Sequence, residues 1–433
     1  MQSKHWLWAV GAVLVITLGA TLGTFRTKHH SSITLRVAGW GDVEEAKIQQ
    51  ASVDAFQKLH PEVQVEFVRI PYNDYITKIL TQFSSNMAPD VMAINAEQLP
   101  AFSHQDIFLD LNPLVAADPS INLKDFYPEA LDRYTVDGKL LGIPRDIAPI
   151  CVIYYNKNAL AEAGLKPPPA DWTTKEFLAY AQALVKKDAS GKVVRWGFVD
   201  DWPIWESWVY NHGGKIVDDV KHPTQCLMDS QEAIAGIQFR ADLMHKYHVM
   251  LTPASMTAMG GMGTSDMFIN GTSAMFYSGI WKTPAFRHIT TFDWDVAPFP
   301  RGPQGKAGYS ISAAGYGIVK ESKYPELDFE LVRFLAGELG QRSMARTGLA
   351  QPAMRTVAAS KDFLDDQKPV SKKFLLDAVK NGAFRAFDIH AEEWMNSVLG
   401  PHLDRVWNGT ETAAQAMPEA AREVNDKFYS NKK

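Results

Sequence analysis

Residues 33–38 alternate apolar and polar side chains and carry β-branched positions, which predicts a strand. Gly39-Trp40-Gly41-Asp42 then predicts a turn. From 43 to 59 the apolar positions recur at helical spacing, and Pro61 marks the end of that helix. A second strand is predicted over 63–70, a second helix over 73–85, and a third strand over 91–94, after Ala88-Pro89-Asp90. Strands alternating with helices predict an α/β layered domain with a largely parallel sheet.

Further along, a short helix is predicted over 126–133 and a hairpin over 136–144, with Asp137-Gly138 supplying its turn. A β-rich apolar run covers 149–155. After Pro167-Pro168-Pro169 another helix begins, with Thr173 or Thr174 as its N-cap. The rest alternates helices and strands without an internal repeat or a long disordered tract. Residues 254–264, rich in Met and Gly, form the loosest internal stretch.

The N-terminus changes the picture. Lys4 and His5 precede an almost uncharged run from Trp6 to Phe25, followed by Arg26 and Lys28, which is the pattern of a secretion signal. About 20 apolar residues also suffice to span a bilayer. Thr21-Leu22-Gly23 is a weak cleavage site, so export is expected, while removal and retention as a signal anchor both stay open. No cysteine lies nearby, so a lipoprotein anchor is not expected.

A chain of 433 residues exceeds what one hydrophobic core usually supports, so two lobes are expected. The formal net charge of −5 argues against nucleic-acid binding, which wants a basic surface. Cys151 lies in the apolar run Ile150-Cys151-Val152-Ile153 and reads as a buried thiol, with a disulfide to Cys226 left open.

Open α/β sheets bind ligands beyond the carboxyl ends of their strands. Trp40, Asp42, Asn95 and Glu97 all fall just after predicted strands, so one lobe can present them together. Carboxylates and amides suit sugar hydroxyls, and aromatic rings suit the flat C–H faces of sugars. Trp202, Trp205 and Trp208 recur every third residue, a spacing that fits a cleft wall or a packed helix face; Trp202 and Trp205 are the candidates for the cleft. Tyr72 and Tyr75 flank the exit of the second strand, and Tyr75 is taken as the candidate. Gly260-Gly261-Met262-Gly263-Thr264 lacks the lysine of a phosphate loop, and neither G-x-S-x-G nor H-E-x-x-H occurs.

Several motifs recur in a fixed order: Gly39-Trp40-Gly41-Asp42, Ala88-Pro89-Asp90-Val91, Gly138 to Asp146, Tyr154-Tyr155-Asn156-Lys157, Phe268 to Met275, and Gly279-Ile280-Trp281. In that order and spacing, behind an export segment, the chain resembles the family 1 extracellular solute-binding proteins, the group containing maltose-binding protein. The resemblance runs from about Ile33 to the C-terminus. It implies an α/β two-lobed periplasmic-binding-protein fold of type II, its lobes built from discontinuous segments around a ligand cleft. By analogy the N-terminal lobe holds 31–143 plus 308–349 and the C-terminal lobe 146–305 plus 351–433. The hinge would lie near 143–146, 305–308 and 349–351, with Ser310 to Gly317 resembling the second crossing.

The implied function is that of the binding subunit of an ATP-binding-cassette importer, capturing a sugar or short oligosaccharide and delivering it to a membrane permease. It would be a monomer without cofactor, metal or catalysis. At the site, the resemblance points to Asp146, to Ser278, Gly279 and Trp281 at a strand-to-helix turn, and to Arg385. The family commonly has a hydroxyl residue where Ala148 stands here. Three rivals remain: a secreted carbohydrate-active enzyme using two of Asp42, Glu97 and Asp146; a binder of a non-sugar such as a polyol phosphate, anchored by Arg145 or Arg385; and an anchored sensory or scaffolding protein.

Overall fold

The computed structural model describes residues 33–260 and 262–430; the predicted export segment lies outside them. The first elements are β1 (Ile33–Trp40), α1 (Val43–Leu59), β2 (Val63–Ile70), α2 (Tyr75–Ser84) and β3 (Val91–Asn95). They build one five-stranded sheet in the order β2, β1, β3, Ala314–Ile318, Ile143–Pro144. The first three strands are parallel, and Ala314–Ile318 runs antiparallel to both its neighbours. The turn expected at 39–42 begins later, because Gly39 and Trp40 pair with Arg69 and Ile70 and stay in the ladder. Partners on β2 outweigh the local glycine signal.

A second sheet has the order Val199–Asp200, Met275–Ser278, Val152–Asn156, Trp294–Pro298, with Val152–Asn156 antiparallel to both its neighbours. Its central strand is buried along its whole length, as the apolar run at 149–155 predicts. Each sheet has its own core. One gathers Leu35, Phe56, Ile94, Ile143, Ile318 and Leu331, and the other Val152, Phe177, Trp208, Phe276, Trp294 and Trp394. The protein is thus two α/β lobes.

The chain changes core between Ile147 and Ile150 and again between Tyr309 and Ile311, a few residues beyond the boundary expected at 305–308. The backbone explains the shift. Tyr309–Ser312 and Ala314–Ile318 are consecutive strands, the first pairing with Ala148–Pro149 and the second with Ile143–Pro144 and β3. Between them, the Arg145 N–H donates to the Ala314 carbonyl at 2.8 Å. On its other side this segment meets a third stretch, with the Ile147 N–H donating to the Gln351 carbonyl at 3.0 Å. Residues 145–147 therefore lie between two other stretches, 309–318 and 351–353, where the two cores meet. The boundary expected at 349–351 is also displaced: Ala353, Met354 and Val357 still belong to the first core, with Met354 bridged to Phe126 and the Ala353 carbonyl accepting from the Tyr127 N–H, and the chain re-enters the second core only at Phe363. The buried Tyr134 hydroxyl lies 2.7 Å from the Ile94 carbonyl and 3.0 Å from that of Ala313, tying β3 to the second crossing.

Local signals recur in the structure where they are self-contained. Thr135–Val136 pairs with Lys139–Leu140 across Asp137 (φ 50) and Gly138 (φ 78), the left-handed pair that a tight hairpin demands. Thr173 caps its helix in a reciprocal box with Glu176. Cys151 and Cys226 are both buried free thiols. Among the described residues, no helix is long and apolar enough to cross a membrane.

Candidate functional site

The carboxyl ends of β1, β2 and β3 bring Trp40, Tyr72 and Asn95 together. Trp40 is mostly buried and packs edge-on against Tyr72 (5.8 Å, 74°) and Tyr75 (5.0 Å, 77°). The two tyrosines divide differently from expectation. Tyr75 is 1% exposed and donates its hydroxyl to the Ala93 carbonyl at 2.6 Å, so it serves the core. Tyr72, in the single 3-10 turn before α2, is 49% exposed. Its hydroxyl accepts from Asn95 Nδ2 at 3.0 Å. Surrounding protein, together with the nearby Glu97 charge, pushes the Tyr72 hydroxyl pKa up although the ring is open to solvent.

Beyond β3, Glu97 accepts from Ser312 Oγ at 2.8 Å, and Arg385 stands opposite it from the other lobe. Burial raises the Glu97 carboxyl above its ordinary range, against the pull of Arg385. Arg385 is not waiting for a partner: its guanidinium bonds the buried Glu206 carboxylate and lies 3.4 Å from Glu392.

The other expected side chains sort by whether the fold already uses them. Asp42 caps α1, accepting from the N–H groups of Glu44 and Glu45 at 3.0 Å. Asp146 is buried with both oxygens engaged, one accepting from the Ala314 N–H (2.9 Å) and one from Arg145 Nε (3.1 Å). It pins the hinge from within. Arg145 also reaches Glu45 at 3.2 Å and stacks over Trp40 and Tyr316.

Burial drives the Glu45 carboxyl up to about 7, outweighing the attraction of Arg145. Because the folded value lies above the unfolded one, the stabilising proton is held below the ordinary carboxylate range and lost as pH rises through about 7. Stability should therefore fall between pH 5 and pH 8. Glu45→Gln should lose less, by about 1–3 kcal/mol at roughly 1.4 kcal/mol per pH unit. Denaturant titrations of both proteins at the two pH values check this; parallel losses would refute it.

On the second lobe, Trp202 is 36% exposed and stacks beside Trp281 with centroids 5.9 Å apart and planes 19° apart. Trp205, at 8% exposed, and the fully buried Trp208 belong to the core, because the short helix Glu206–Asn211 turns them inward. Ser278 is wholly buried and donates to Asp201 Oδ2 at 2.9 Å, and Lys282 Nζ lies 3.4 Å from the same oxygen. Gly279 is required by its neighbour: a Cβ there would sit 1.8 Å from the Trp281 ring, so only glycine lets the indole lie over the turn. Tyr72, Ser312, Glu206, Asp201 and Lys282 were not identified from sequence. Each owes its place to a partner from another segment.

The lobes also touch away from these groups, through Asp132–Lys221 (2.6 Å) and Glu44–His288 (3.7 Å). Each lobe thus carries its own aromatic cluster, Trp40 with Tyr72 and Tyr75 on the first and Trp202 with Trp281 on the second. Residues 40–342 match the family model for bacterial extracellular solute-binding proteins.

This chain belongs to that family.

Among its relatives is a galactooligosaccharide-binding protein of Bacillus subtilis, 27% identical over 74% of this chain and 73% of its own. Another is a maltodextrin-binding protein of the same bacterium, 24% identical over 65% of this chain and 66% of its own. Among solved structures, an ABC substrate-binding protein of Listeria monocytogenes in complex with cycloalternan superposes with a TM-score of 0.81 at 23% identity, covering 92% of this chain and 99% of that one. At that identity the likeness is one of fold, and it is the fold implied by the resemblance. The family is one of solute-binding proteins outside the cytoplasm, which accords with the export segment read from the sequence.

Proposed function

We propose that this solute-binding protein captures a neutral sugar or short oligosaccharide between its lobes and presents it, as a monomer, to the permease of an ABC importer. The observation that carries the reading is an open aromatic surface on each lobe, Tyr72 on one and Trp202 beside Trp281 on the other, together with charged groups that already have partners. Sugars offer flat C–H faces to such rings and hydroxyls to such groups. The named relatives that bind galactooligosaccharide and maltodextrin support the same class.

Charge favours neutrality. A phosphate or carboxylate solute wants a cation to spare. Arg145 is held by Glu45 and Asp146, Arg385 by Glu206 and Glu392, and Lys282 by Asp201. Catalysis is disfavoured on similar grounds. A glycosidase needs two working carboxyl groups about 5–10 Å apart, yet Asp42 caps a helix and Asp146 is consumed in the hinge, leaving Glu97 alone of the three candidates. Residues 1–32 would direct export, and either fate of that segment leaves the cleft outside the cytoplasm.

A thermal-shift screen of the chain from about Ser31 onward tests the reading, using malto- and galacto-oligosaccharides, uronic acids and polyol phosphates. Ligand at about 100 times its Kd adds about 2.7 kcal/mol, a shift of a few degrees. Stabilisation by a neutral oligosaccharide that is recovered intact is expected. Stabilisation by polyol phosphates only, or cleavage of the sugar, would overturn it.

A further inference from the structure

We propose that Ser312, on the second strand to cross the hinge, is a positioning residue for solute capture, aiming the Glu97 carboxylate at the cleft and holding it as an acceptor. The inference rests on the sugar-binding reading above. Glu97 extends from the carboxyl end of β3, where a sheet of this kind meets its ligand. Ser312 Oγ donates to Glu97 Oε2 at 2.8 Å, and among the described residues no other side chain hydrogen-bonds this carboxylate. Ser312 ends the strand Tyr309–Ser312, and the next residues, Ala313 and Ala314, bond Tyr134, Arg145 and Asp146 at the hinge. One hydroxyl thus links the group facing the cleft to the strand on which lobe closure turns.

The surroundings make that link matter. Burial disfavours the charged form of Glu97, and Glu392 adds repulsion; Arg385, the Glu97 backbone N–H and Ser312 favour it. Tyr72, Arg133 and Tyr134, all from the first lobe, also feel the Glu97 charge. Ser312 supplies the side-chain hydrogen bond among the interactions that favour the charged form. A carboxylate accepts from sugar hydroxyls at both oxygens, whereas a protonated one has converted an acceptor into a donor. Capture should therefore weaken as Glu97 takes up a proton, and loss of the Ser312 hydroxyl should bring that point to higher pH.

The test uses protein labelled with 13C at glutamate carboxyls, with the Glu97 signal assigned through Glu97→Gln. In the unliganded protein, Ser312→Ala should raise the Glu97 titration midpoint by about half a pH unit or more. Ser312→Thr, which keeps the hydroxyl, should restore it. Binding of the panel's malto- and galacto-oligosaccharides at pH 7 should weaken about tenfold in Ser312→Ala, the value of one hydrogen bond to a charged group, and recover in Ser312→Thr. An unmoved Glu97 titration overturns the inference whether or not any sugar binds. So does a shifted titration with unchanged affinity, or an affinity loss equal at every pH that threonine does not rescue. A wild-type protein that binds none of these sugars while Glu97 titrates as described would instead overturn the sugar reading.

Discussion

Trp281→Ala is expected to weaken oligosaccharide binding by more than about thirtyfold, with the fold retained. Truncation of a central aromatic anchor costs about 2–4 kcal/mol, and each 1.4 kcal/mol is tenfold. Trp281 meets the conditions for such an anchor. Its ring lies 19° from parallel with that of Trp202, which broadens the apolar platform. It also packs against the second-lobe core and the small cluster of Met344, Leu349 and Ala350, so the ring is braced before any solute arrives. A preorganised ring loses little freedom on binding. Gly279 completes the arrangement by leaving room beneath the indole. Because Trp281 is only partly buried, the melting temperature should fall by no more than a few degrees. Calorimetric titration with the sugar found in the thermal-shift screen measures the effect, and Trp281→Phe should keep part of the affinity. An alanine variant within threefold of wild type would remove Trp281 from the site.

Asp200→Ala is expected to be the most damaging single change to the second lobe, costing about 3–5 kcal/mol. Asp200 and Arg240 form a buried two-pronged ion pair, Arg240 Nε to Oδ2 at 2.9 Å and Nη2 to Oδ1 at 3.1 Å, with the guanidinium 4.4 Å over the Trp407 ring. Removing one partner of such a pair leaves the other charge buried without compensation, which accounts for the size of the loss. The pair also bears on the site, since Asp200 ends the strand that leads into Asp201 and Trp202. Replacing both partners by apolar residues, as in Asp200→Leu with Arg240→Met, should recover much of the loss. Denaturant midpoints of wild type, single and double variants give the comparison. A single variant within about 1 kcal/mol of wild type would mean that the pair is solvated more than its burial implies.

How much of the site was legible depends on what each residue needs to be recognised. Glu97, Trp202 and Trp281 stand out as candidates because position after a strand, aromatic spacing and family motif are all local or ordered along the chain. Asp42 carries the same local mark, yet a position just before a helix is also what an N-cap requires, and the N–H groups of Glu44 and Glu45 took it. Tyr72 and Tyr75 cannot be told apart in the sequence because they sit three residues apart at a helix start. Which one enters the core depends on the β1 and β3 carbonyls beneath them, and Tyr75 lies 2.6 Å from that of Ala93.

By itself, the sequence determined the order of strands and helices, the Asp137-Gly138 hairpin, the Thr173 capping box and the two-lobed architecture through its family motifs. Each rests on residues close together in the chain or on motifs held in order. Only the tertiary structure decided where the chain passes between the two cores, because the hydrogen bonds among 145–147, 309–318 and 351–353 join segments that sequence distance keeps apart. It alone decided which charges are spoken for. A carboxylate or guanidinium looks the same in a sequence whether it faces a ligand or a partner two hundred residues away, as Arg385 does with Glu206 and Asp146 with Ala314. Burial forces such groups to find partners, and only the folded chain shows which ones they find.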